Sequence, residues 1–155
     1  MMRRDRLIKT RRHDPYKADA KMKGPAVCSE CGAVYRLGRW HWGARHRDEP
    51  QRLCPACRRI AEACPAGIVT LDGPFVAEHR AEILGLLHHE AKMESGRHPL
   101  NRVMSVTEAN GALVLETTEP HLADRLGRAV VAAYAGELTR RHAKNEAMLR
   151  VHWHR

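Results

Sequence analysis

Four cysteines, arranged as Cys28-Ser-Glu-Cys31 and Cys54-Pro-Ala-Cys57, are the residues of this chain best placed to do chemistry. Two C-x-x-C pairs separated by 22 residues supply four thiolates at the spacing of a tetrahedral zinc site. Each pair closes a tight turn, so both of its sulfurs reach one ion at about 2.3 Å. Gly32, directly after the first pair, permits the left-handed backbone that such a knuckle uses. Four ligands leave no open coordination position, so the expected cofactor is one structural Zn2+ and not a Lewis acid. The competing arrangement is two disulfides. It is disfavoured because five cysteines leave one thiol over, and because a start without an apolar signal segment predicts a reducing cytoplasm. His41 and His46 lie between the pairs and offer substitute ligands, but four cysteines already fill a site.

Nothing else in the sequence reads as catalytic. None of the eleven histidines has a nucleophile or an orienting acid at motif distance. A Walker loop, a glycine-rich dinucleotide turn and an H-E-x-x-H helix are all missing. No H-x-E stands upstream of Cys54-Pro-Ala-Cys57, where a deaminase site would need it. The expectation is a non-enzymatic protein without a small-molecule substrate. Cys64 is expected to be a small buried apolar residue.

Charge separates the chain into unequal parts. Residues 1–23 carry nine Lys/Arg against three acids, residues 24–66 seven against four, and residues 67–155 eleven against eleven. The whole net charge of +9 therefore sits in the first 66 residues. A polyanionic partner docking there is the simplest physical consequence. No run approaches the 18 or so apolar residues of a membrane span, so no membrane partner is expected.

These parts give three expected units: a basic flexible arm (1–24), a zinc ribbon (25–66) and an α+β domain (67–155). The arm is too charged to offset its ordering entropy on its own. In the ribbon, Tyr35 to Gly43 reads as a short hairpin, and a helix is expected from Pro55. Of Trp40 and Trp42, one is expected buried and one exposed. The last unit is expected to hold an antiparallel sheet and two helices. Its first strand is Ile68–Leu71, followed by a helix from Asp72-Gly73-Pro74 to about Glu94, stopped by Ser95-Gly96. Two strands flank Asn110-Gly111, a second helix capped by Thr118 ends at Gly136, and two strands follow near 138–142 and 148–153. On the last strand Leu149, Val151 and Trp153 alternate with Arg150 and His152. Arg150 and His152, joined by Arg140 and His142, are expected on an exposed sheet face.

The segments Cys28-Ser-Glu-Cys31-Gly, Cys54-Pro-Ala-Cys57, Leu122-Ala-Asp-Arg-Leu-Gly-Arg-Ala-Val and Tyr134-Ala-Gly together resemble the nonsense-mediated-decay/ribosome-export adaptor family. The Arg-Arg-Asp-Arg start, His13-Asp14-Pro15-Tyr16, the Trp40–Gly43 run and Val151-His152-Trp153 resemble a short bacterial branch of it, over nearly the whole chain. The chain differs from the larger members in having only two C-x-x-C pairs and in lacking room for their C-terminal translation-factor-like domain. The resemblance implies a structural zinc and binding to the large ribosomal subunit.

The expected function is binding to ribosomal RNA or the ribosome, affecting its assembly, stability or dormancy and extending to mRNA decay. Arg3, Arg4, Arg6, Lys9, Arg11 and Arg12 would meet phosphates, with Arg36, Arg39, Arg58 and Arg59 extending that surface and Trp40 stacking on a base. The alternatives are a DNA-binding or transcription-associated zinc ribbon, and a protein-interaction module built on the α+β half.

Overall fold

Glycines and cysteines shape the first part of the chain, and alternating apolar residues shape the second. The computed structural model describes residues 24–46, 48–142 and 147–155. The expected arm, with Arg3, Arg4, Arg6, Lys9, Arg11 and Arg12, lies outside these residues.

Strands β1 (Ala26–Val27), β2 (Val34–Arg36) and β3 (Arg39–His41) form an antiparallel sheet in that order. The hairpin between β2 and β3 turns on Leu37 and Gly38, both with positive φ (53° and 82°), the backbone of a tight primed turn. Helix α1 (Pro55–Glu62) follows, with Pro55 in its first turn, where a missing N–H costs nothing. Ala26, Ala33, Tyr35, Trp40 and Ala56 bury themselves around the cysteines and form a small core.

The second part contains β4 (Gly67–Asp72), α2 (Pro74–Glu78), α3 (Arg80–Arg97), β5 (Val103–Ala109), β6 (Ala112–Thr117), α4 (Pro120–Tyr134), β7 (Glu137–His142) and β8 (Leu149–His154). The five strands make one sheet in the order β5-β6-β4-β8-β7. Period-two alternation puts Val69, Leu71, Leu113, Leu115, Leu149, Val151 and Trp153 on one face. There they pack against Val76, Ile83 and Leu87, and against Leu122, Leu126 and Val130 of α4. A side chain at Gly127 of α4 would sit 2.6 Å from Val151, so its absence lets the helix lie close on β8. The fold is α+β, as expected from the sequence, and no helix among the described residues is long and apolar enough to cross a membrane.

Four expectations need correction. The sheet is mixed: β4 runs antiparallel to β6 but parallel to β8. The intervening chain is long enough to bring β8 back beside β4, where both strands bury the same face. The long helix is two helices, broken at His79. Its second part continues through Ser95 and Gly96 to Arg97, because Glu94 is anchored by Asn101 and Arg125; Pro99 then disfavours helix at His98. Finally, Glu119 rather than Thr118 precedes α4. The Thr118 hydroxyl instead donates to Leu100 O (2.5 Å) and accepts from Arg102 N–H (2.8 Å).

Candidate metal centre

Each cysteine pair is set by its local backbone. In the first, Gly32 adopts φ 78° and its N–H donates to Cys28 O, while Cys28 N–H donates to Ala33 O. The Arg45 guanidinium lies over Gly32, 2.0 Å from where a Cβ would stand, so only glycine fits this turn without a shift. In the second, Cys54 caps α1: its sulfur accepts from Cys57 N–H at 3.3 Å. A thiolate there sits at the positive end of the helix dipole. Residues 50–52 tie the pairs together, with Val27 N–H donating to Pro50 O and Arg52 N–H to Val27 O, both at 2.9 Å.

The four sulfurs consequently all lie within 4.8 Å of one another, and Cys31 Sγ is 3.8 Å from Cys54 Sγ. In a tetrahedron with metal–sulfur bonds of about 2.3 Å the sulfurs stand about 3.8 Å apart. The donor set therefore fits a structural metal ion with no position left for substrate. Cys28, Cys54 and Cys57 are buried and Cys31 is half-buried. Burial opposes ionisation of Cys28, but backbone hydrogen bonds from Cys31, Cys54 and Glu30 bring its pKa down to about 6. Burial raises the Cys31 and Cys54 thiols, and the neighbouring sulfur charges push them further up. A cation at the centre would remove that repulsion.

One residue beside the ligands carries no signal in the sequence. Arg102 donates through Nη2 to Cys57 Sγ at 3.0 Å and to Cys54 Sγ at 3.4 Å. Burial alone would lower its pKa; the hydrogen bond and charge of Cys57, with the charges of Cys54 and Cys31, raise it instead. Four thiolates around a divalent ion carry a net −2, and the guanidinium halves it. Arg102 comes from just before β5, where Thr118 fixes its backbone and Leu100 packs against the cysteine core. Trp42 adds a second tie, its indole N–H donating to Ser95 O at 2.7 Å.

The remaining predicted site residues fall in different surroundings. Trp40 is 7% exposed and packs on Tyr35 at 5.3 Å, so no base can stack on it; Trp42, 42% exposed, is the accessible one of the two. Arg59 is 6% exposed and donates to Cys64 O, which takes it out of any phosphate surface. Arg36 donates from Nε to Glu49 at 3.1 Å and from Nη2 to Ala44 O at 2.7 Å, and holds the Glu49 carboxyl below its ordinary range. Arg39 is exposed on β3 and Arg58 is half-buried on α1. Cys64 is exposed, contrary to expectation, because α1 has ended in the left-handed Ala63 and the chain has turned outward. Neither His41 nor His46 joins the thiol cluster.

Comparison of the chain with family models, with curated proteins and with solved structures gives no match in any of the three.

Proposed function

We propose that this chain is a non-enzymatic, cytoplasmic zinc-ribbon protein that binds ribosomal RNA on the large ribosomal subunit and acts on ribosome assembly, stability or dormancy. The observation that carries the reading is the closed, largely buried four-thiol centre within the basic part of the chain. A site with every ligand position taken is a scaffold, and what it holds out to solvent here is Arg39, Arg45, Arg52 and Trp42. Tetrahedral four-sulfur coordination suits zinc or iron, and zinc is the proposed occupant. The resemblance to the ribosome-export adaptor family supports both the zinc and the class of partner.

Two measurements test this. Elemental analysis of the purified chain should give one zinc per chain; iron would reject the metal assignment, and no metal would reject the ribbon. Crosslinking in cells, followed by sequencing of bound RNA and fractionation on ribosome gradients, should place the protein with the large subunit. Exclusive recovery with duplex DNA would replace this reading with a transcriptional one.

A further inference from the structure

The helices cover one face of the five-stranded sheet and leave the other open, and that open face contains a depression of about 330 Å3 distinct from the metal centre. It is lined by Ile68, Thr70, Thr139, Arg141, Arg150 and His152, with part of Val151. The sequence groups Arg150 with Arg140 and His142, but alternation places those two on the helix side, where Arg140 pairs with Asp124 of α4 at 2.9 Å. Arg141 and Thr139 are the β7 residues that share the open face.

Register makes this site chemically unusual. Arg141 stands directly opposite Arg150 across β7 and β8, and His152 lies in one cross-strand row between Thr70 and Thr139. Like charges directly opposed on a sheet destabilise it. Several other arginines of this half have carboxylate partners: Arg80 pairs with Glu108, Arg125 with Glu90 and Glu94, and Arg128 and Arg140 share Asp124. Among the described residues neither Arg141 nor Arg150 has a carboxylate partner. Three acids share the open face, and none lines the depression: Glu137 stands at the start of β7, beside His154. Glu116 accepts from Ser105, while Asp72 accepts His152 Nε2 at 2.7 Å and His154 Nδ1 at 2.6 Å. Asp72 thereby fixes the His152 ring at the rim. The lining offers two guanidinium groups, an imidazole and two hydroxyls, and it holds no carboxylate and no Phe, Tyr or Trp ring.

We infer that this depression binds a backbone phosphate of an RNA strand, with Arg141 and Arg150 bridging its free oxygens and Thr70, Thr139 and His152 completing the contact. The inference rests on the RNA-binding reading above and gives it a second contact, on the half of the chain that has no net charge. Because donors meet phosphate and not base edges, the contact is independent of sequence.

The metal-loaded full-length protein is titrated with a mixed-sequence single-stranded RNA oligonucleotide over a salt series, beside an Arg141→Gln/Arg150→Gln double variant. The variant should keep its metal content, unfold no earlier than the wild type and bind about tenfold more weakly. Its log–log salt slope should be shallower by about 0.7 for each phosphate it no longer neutralises. A second variant, Arg80→Gln/Arg128→Gln, removes the same charge from the helix side and should bind like the wild type. Equal weakening in both variants would reduce the effect to net charge and overturn the pocket. Wild-type affinity and slope in the first variant would also overturn it, while leaving RNA binding itself intact. A wild-type protein that binds no RNA at low salt defeats both readings. Should the double variant fail to fold, Arg150→Gln alone carries the test, with a slope change of about half the size.

Discussion

Arg102 shows how a single side chain can decide what a metal site is worth. One guanidinium nitrogen, Nη2, serves the sulfurs of both Cys57 and Cys54. Arg102→Gln should lower metal affinity about 10- to 100-fold, the usual cost of losing an outer partner, as read by competition with a chromophoric chelator. Arg102→Lys should recover part of that loss, because it keeps a positive charge beside the thiols. Asp72 offers a separate test. Its partial burial opposes ionisation, but the hydrogen bonds from His152 and His154 outweigh this and lower its pKa. A lowered carboxylate contributes stability above its unfolded pKa and loses it as pH falls through the folded value. The gap in unfolding midpoint between wild type and Asp72→Asn should therefore be full near neutrality and close below the ordinary aspartate range. The four clustered thiols are legible in the sequence because C-x-x-C is a local signal. Arg102 is not, because it reaches its sulfurs across 45 and 48 residues, and single-sequence patterns do not encode such a meeting. Trp40 and Arg59 depart from expectation for a related reason: a core as small as the cysteine module uses whatever large side chains lie nearest.

At the level of elements, two positions set local preference against tertiary demand. Leu37 occupies a left-handed position that favours asparagine in a primed turn, and its side chain is fully exposed. Leu37→Asn should raise stability by about 0.5–1 kcal/mol without changing metal content, measured by denaturant unfolding. Gly127 presents the opposite case. Alanine would gain about 1 kcal/mol of helix propensity, yet its Cβ would stand 2.6 Å from Val151 and 3.0 Å from Leu138. Overpacking of about 1–3 kcal/mol should win, so Gly127→Ala should unfold at lower denaturant. Strand alternation and the Asn110-Gly111 hairpin are legible because period two and turn chemistry are local. The parallel partner of β4 is not, since nothing local in β4 names a strand near the far end of the chain.

For the molecule as a whole, two cores meet through a few side chains: Leu100, Arg102 and the Trp42–Ser95 hydrogen bond. The smaller core is organised around the thiols, whereas the larger one buries fourteen residues of its own. Removing the metal, or substituting Cys31→Ser, should therefore melt the cysteine module first. Apparent binding energies of about 10–16 kcal/mol in small zinc peptides measure how much such a module depends on its ion. Near-ultraviolet circular dichroism and tryptophan fluorescence in chelator should show Trp40 and Trp42 becoming disordered while Trp153 keeps its buried signal. A single shared transition would show that the two cores are one cooperative unit.

The parallel pairing of β4 with β8 also imposes an order on biosynthesis. All four thiols exist once Cys57 has been made, so the ion can be captured early. The larger sheet has no centre until β8 arrives to supply Val151 and Trp153 beside β4. At about 5–20 residues per second, the 96 residues between Cys57 and Trp153 take about 5–20 s to synthesise. During that interval a nascent chain that has captured its ion waits with the β8-facing edge of β4 unpaired and the places of Val151 and Trp153 under the helices unfilled. Aggregation or degradation of incomplete chains is then governed by how quickly translation reaches the last strand, and slow codons after position 57 should lower the yield of folded protein even when the sequence is unchanged.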